Sequence, residues 1–143
     1  MEHSFKGERT LMRIFIGESD RCEDGPYQGK PLHVALLEMM RERGLAGATV
    51  VRAIAGFGAS ARPHTDRILR LSMDLPIIIE VIEREKNIQS ILPELDRMIG
   101  GGLVTLERAR VILYRPAEGA DTRRWVKRVE GLTPEDTPTP DDG

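Results

Sequence analysis

"VVRAIAGFGASARPHT", residues 50–65, decides between two folds. Gly56, Gly58 and Ala61 satisfy the G-x-G-x-x-[G/A] spacing of a dinucleotide-binding turn, just after an apolar run that reads as a strand. Such a turn must open directly into a helix, whose N-terminus then faces the pyrophosphate, and the next strand must lie parallel to the first. Here Arg62-Pro63 interrupts the chain where that helix would begin. The acidic residue expected about 20 positions on, at a strand end, is also missing, since Asp74 precedes a strand and Glu80 lies inside one. The stretch is therefore read as a connection between two extended segments, and NAD is not an expected ligand.

Working outward, residues 48–55, ATVVRAIA, are rich in β-branched side chains and read as the strand before the connection. Residues 75–83, LPIIIEVIE, read as the strand after it, with Pro76 at the opening, where a missing N–H is tolerated. Towards the N-terminus, GKPLHVALLEMMRERG places Leu32, Ala35, Leu36, Met39 and Met40 on one helical face, with Pro31 near N1 and Gly44 near the C-terminal cap. Before it, Thr10 to Gly17 alternates as a strand: Met12, Ile14 and Ile16 face one way, Leu11, Arg13 and Phe15 the other. Towards the C-terminus, Ile88, Ile91, Leu92, Leu95 and Ile99 predict a second helix from about Glu85 to Ile99, kinked at Pro93. After the glycines at 100–102, LVTLERARVILYR predicts a short extended piece and a last strand near 109–115.

The order is β-α-β-β-α-β, an α+β, ferredoxin-like arrangement in which two helices cover one face of a four-stranded antiparallel sheet. Strand 75–83 is apolar on both sides: Ile77, Ile79 and Val81 point one way, Ile78 and Ile82 the other, with Glu80 between them. Two helices cover only one of those faces. Burying an isoleucine is worth roughly 1.5–3 kcal/mol, and a large exposed apolar patch usually marks a partner. The sequence thus predicts a homo-oligomer whose sheets pack together.

Composition restricts the function. The 143 residues hold 40% hydrophobic and 31% charged residues, with 21 basic against 23 acidic ones and a formal charge of −2. This suits one soluble domain, is too short for a catalytic plus a cofactor domain, and lacks the basic excess of a general nucleic-acid binder. Residues 1–9 read as a flexible N-terminus without a secretory signal, 10–115 as the domain, and 116–143 as a largely disordered tail. No stretch approaches the roughly 18 apolar residues of a membrane span, so a cytoplasmic protein without membrane insertion is expected. The single Cys22 reads as a free loop thiol. His3, His33 and His64 are too scattered to imply a metal, since zinc takes three or four ligands. Glu18 and Asp20 read as a charged loop pairing with an arginine or fixing a cation. There is no G-x-S-x-G, no Walker lysine and no other acid–base constellation, so no catalytic residues are assigned and a non-enzyme is expected.

The run GLAGATVVRAIAGFG, a long loop, LPIIIEVIE, a helix and GGGLVTLERARVILYR resembles the PII signalling superfamily, in which a second strand ends in GFG before the T-loop. The last strand is similar to the PII pattern at 109–115. The set GESDR, GKPL, GATVVRAIAGFGAS, LRLS, DLP and GGLVTLE more closely resembles a PII-like family labelled domain of unknown function number one hundred and ninety, over about residues 10–115. The resemblance implies a trimer with ligand clefts between subunits, where relatives bind adenine nucleotides. It implies that Gly56, Gly58, Gly101 and Gly102 supply backbone N–H groups there, and that Arg115 contacts phosphate. The residues agree chemically: glycines permit close backbone approach and anion nests, and guanidinium suits phosphate oxygens. Ala59-Ser60 stands where PII proteins have Arg-Gln, and Leu113 where they have an arginine, so ATP and 2-oxoglutarate sensing in their manner is not carried over.

The connection 59–74 carries Arg62, His64 and Arg67, suited to an anion or a partner surface. The expectation is a regulatory, non-enzymatic, nucleotide- or anion-binding trimer acting through residues 57–74 on a partner protein such as a membrane transporter. The alternatives are an interaction module without a metabolite, in which that loop or RRWVKRV at 123–129 docks, and a metal-handling trimer like the CutA family.

Overall fold

The computed structural model describes residues 6–58 and 74–115. The order is β1 (Gly7–Gly17), α1 (Leu32–Glu42), β2 (Thr49–Arg52), β3 (Pro76–Glu83), α2 (Glu85–Met98) and β4 (Leu103–Val111). The strands form one sheet in the order β2-β3-β1-β4, and β3 runs antiparallel to both β1 and β2. This is the ferredoxin-like α+β architecture that the element order predicts. The described residues divide into two units, Thr10–Glu107 and the flanking ends 6–9 and 108–115.

Alternation within β1 and β3 sets the core of the larger unit. Met12, Ile14 and Ile16 of β1 and Ile77, Ile79 and Val81 of β3 are buried, together with Leu32, Leu36 and Met40 of α1 and Ile88, Ile91 and Leu95 of α2. The register pairs Ile14 with Ile79 and Met12 with Val81, so one side of the sheet presents a continuous apolar surface to the helices. Helix α1 ends in a Schellman motif: Gly44 takes φ +78, its N–H donates to Arg41 O at 3.0 Å, and the Leu45 N–H donates to Met40 O at 3.0 Å. Helix α2 continues through Pro93 from Glu85 to Met98. Its first turn is tied to β3 by Glu83, whose buried carboxylate accepts from the Ala46 N–H at 2.8 Å and from Asn87 Nδ2 at 2.8 Å.

Two expectations change. The last strand begins at Leu103 and ends at Val111, where a short extended piece and a strand at 109–115 were expected. Residues 103–111 form one outer strand, whose alternation is blurred because Glu107, Arg108 and Arg110 all reach solvent. Helix α2 closes at Ile99 in extended conformation, and of the three glycines that follow only Gly102 has positive φ. Cys22 is a free thiol but lies in the core at 2% exposure, because residues 22–30 fold back as a short hairpin. The Cys22 N–H donates to Lys30 O at 2.9 Å and the Gly29 N–H to Cys22 O at 3.0 Å.

Among the described residues, both helices pack on one side of the sheet and none lies on the opposite face. Across it run Leu11, Arg13 and Phe15 of β1, Ile78, Glu80 and Ile82 of β3, and Val51 of β2. Val51 is 43% and Ile82 50% exposed.

Candidate functional site

Antiparallel pairing brings the end of β1, the end of β2 and the start of β3 to one end of the sheet, and the loop into β4 arrives there too. The glycine segments therefore share one end of the molecule. Gly56, four residues past β2, has φ +155, and a Cβ on it would lie 2.8 Å from Pro76 Cγ. Gly102, at the start of β4, has φ +159, and a Cβ there would lie 2.8 Å from the Phe15 carbonyl oxygen. Both glycines are needed for the chain's own packing. Gly58 and Gly101 differ: a Cβ on either would have nothing within 4 Å. Their backbones are open to a ligand or to another chain.

Because β2 and β4 are the outer strands, Gly56 and Gly58 lead away from one edge of the sheet and Gly101 and Gly102 lead into the other. A groove of about 440 Å³ lies between α2 and β4, lined by Leu92, Leu95, Ile99, Gly101 and Val104. Beside the β2 edge, Ile54 is 98% and Phe57 83% exposed.

Between the edges, the GESD loop closes over the sheet end. The Gly17 N–H donates to Asp20 Oδ2 at 2.8 Å, the Ser19 N–H to Asp74 Oδ1 at 3.0 Å, and the Glu18 N–H to Leu75 O at 2.9 Å. Arg52 Nη1 reaches Glu18 Oε1 at 2.7 Å, so β2 is pinned to the same loop. The pairing of Glu18 with an arginine is the role its loop suggested, while Asp20 serves backbone N–H groups. Sequence reading missed Arg52 and Asp74 as the partners, because nothing local links positions 18, 52 and 74.

Arg62, His64 and Arg67 lie outside the described residues, as does 123–129. Arg115 is exposed and falls four residues beyond β4, in the unit that holds 108–115. Among the described residues, no three His, Cys, Asp or Glu side chains are grouped to hold a metal ion, and no helix is long and apolar enough to cross a membrane.

A second cavity, about 370 Å³, lies on the helix side between α1, α2 and the 24–27 turn. Its own side chains pair across it: the Tyr27 hydroxyl donates to Glu42, and Arg43 pairs with Glu94. The Glu42 hydrogen bond, with lesser help from burial and from Glu42, Glu38 and Glu94 charge, pushes the Tyr27 phenol up to about 12.

Residues 9–111 match the family model DUF190, described as an uncharacterized ACR. A UPF0166 protein of Aquifex aeolicus is 40% identical over 105 residues, covering 73% of this chain and 94% of that one. The UPF0166 protein MJ1524 of Methanocaldococcus jannaschii is 31% identical over 102 residues, covering 71% and 89%. Among solved structures, a Thermus thermophilus protein provisionally described as a PII-like signaling protein superposes with a TM-score of 0.50 at 21% identity, covering 76% of this chain and 93% of that one. The chain belongs to the DUF190 family and carries a PII-like, ferredoxin-like fold.

Proposed function

We propose that this protein is a non-enzymatic PII-like regulator that assembles as a trimer and binds a small anionic ligand, of which an adenine nucleotide is the leading candidate, at the junctions between copies. One observation carries the reading: two glycine segments occupy the same end of the sheet but opposite edges, and each leaves one glycine, Gly58 or Gly101, with open backbone. In a ring of copies, the β2 edge of one meets the β4 edge of the next, and the two open segments face each other across the seam. Backbone N–H groups at such a seam are suited to phosphate oxygens, and Arg115, with Arg62, Arg67 and His64, supplies the positive charge.

Regulation follows if the ligand binds two arrangements of residues 57–74 with different affinity, since equal affinity shifts nothing. The exposed Phe57 at the head of that segment provides apolar area for a regulated protein partner such as a membrane transporter. A cytoplasmic location belongs to the same reading.

The test is calorimetric titration and thermal shift of the full chain with AMP, ADP, ATP, cyclic dinucleotides, simple anions and divalent metals. A ligand at 100 times its Kd raises stability by about 2.7 kcal/mol. Arg115→Ala is expected to weaken nucleotide binding at least tenfold while leaving the oligomer intact. Stabilisation by no anion overturns the ligand assignment, and unchanged affinity in the variant removes Arg115 from the site.

A further inference from the structure

Arg52 is the last residue of β2, an outer strand, and its guanidinium turns inward across the start of β3 to Glu18 Oε1 at 2.7 Å. The chain then bends round Pro76. The Ala53 N–H donates to Pro76 O at 2.8 Å, and Gly56 packs so closely on the Pro76 ring that a Cβ there would lie 2.8 Å from Cγ. Arg52 and the segment leading to the open Gly58 are thus gathered at one proline. The charges around it are unequally engaged. Asp20 accepts from the Gly17 N–H and Asp74 from the Ser19 N–H, so these two carboxylates serve the backbone. Glu18 and Arg52 hold each other instead, with the arginine side chain 58% exposed and the glutamate 28%. Solvent-screened pairs of this kind add little to stability. A guanidinium on phosphate oxygens makes stronger, two-pronged hydrogen bonds, so the arginine gains by exchanging its carboxylate for such an anion.

We propose that Arg52 is an anion-binding residue held in reserve by Glu18: a phosphate-bearing ligand at the Gly56–Gly58 segment draws the guanidinium off the carboxylate, and Glu18 sets how much affinity the exchange leaves. The inference rests on the anion site proposed above and adds to it a cation that sequence reading left out. A role confined to pinning β2 makes a different forecast. Removing either partner would then break the same clasp and move affinity in the same direction, whereas a donor and its competitor must move it in opposite directions.

The experiment is calorimetric titration of the full chain with ADP and with adenosine, with circular dichroism and urea unfolding to report folding. Arg52→Met removes the donor and is expected to weaken ADP binding at least about tenfold. Glu18→Gln removes the competitor and is expected to tighten it about two- to fivefold. In E18Q/R52M the gain disappears, leaving the affinity of Arg52→Met to within about twofold, because Glu18 acts through Arg52 rather than through its charge at a distance. Adenosine, which carries no phosphate, is expected to respond to none of the three variants. Should Arg52→Met fail to fold, the tightening in Glu18→Gln still decides the matter. Weaker or unchanged ADP binding in Glu18→Gln, unchanged binding in Arg52→Met, a gain from Glu18→Gln that persists without Arg52, or an adenosine affinity that follows the variants overturns the inference. A wild type that binds no ADP overturns the nucleotide reading beneath it, which separates the two failures.

Discussion

Gly102 and Gly101 are adjacent, yet their constraints are opposite. Adding a Cβ to Gly102 drives it against the Phe15 carbonyl, a backbone atom that cannot swing aside, at a φ that other residues rarely adopt. Gly102→Ala is expected to cost more than about 1 kcal/mol, read as a lower urea midpoint with unchanged slope. Gly101→Ala meets no neighbour and is expected to leave the midpoint unchanged. If Gly101 offers its backbone to a ligand, the same variant loses at least tenfold in affinity, so a binding defect appears without a folding defect. Glu83 gives a third case at this scale. It is 5% exposed and accepts hydrogen bonds from the Ala46 N–H and Asn87 Nδ2, so Glu83→Ala strands two donors. Leaving a buried group unsatisfied costs about 1–3 kcal/mol, and equilibrium urea unfolding is expected to show a loss of that size.

At the scale of elements, what was legible depended on how strongly burial marks the sequence. The alternation of Met12, Ile14 and Ile16 against Ile77, Ile79 and Val81, and the helical spacing of Leu32, Leu36 and Met40, record one-sided burial directly, so these elements and the fold follow from them. β4 is an outer strand with charged side chains reaching solvent, and its start at Leu103 was obscured for that reason. Of the site, the glycine segments were visible, whereas the Arg52–Glu18 and Ser19–Asp74 clasps were not, because contacts over 34 and 55 residues leave no local pattern. The 22–30 hairpin was hidden for a different reason, since CEDGPYQGK has no apolar alternation to mark it, and it makes a prediction of its own. Its Tyr27 hydroxyl donates to Glu42 on α1, so folding favours the neutral phenol and raises its titration from 10.0 to about 12. The linked stabilisation is present below pH about 10 and is lost as pH rises through about 12. Phenolate absorbance in a Tyr114→Phe background is expected to report the high midpoint, and Glu42→Gln to return it towards 10.

For the whole molecule, one substitution separates a solvated sheet face from a subunit interface. Ile82 lies on the uncovered face at 50% exposure in a single copy. If that face met only water, Ile82→Lys would exchange one half-exposed side chain for another, and surface changes of this kind usually stay within about 0.5 kcal/mol. If three copies bury it, the same change places a cation in each of three equivalent positions without a counter-ion, and assembly fails. The wild-type chain is therefore expected to scatter light at three times its 16.0 kDa mass at micromolar concentration, and Ile82→Lys at the mass of one copy with its helical dichroism retained. The consequence extends to binding: because the two open glycine segments lie on opposite edges, separating the copies also splits each seam in half. Nucleotide affinity is expected to fall together with the oligomer in Ile82→Lys, although residue 82 is at the far end of β3 from every proposed ligand contact on the sheet end. A dissociated variant that binds with wild-type affinity would place the ligand within one chain and rule out the seam.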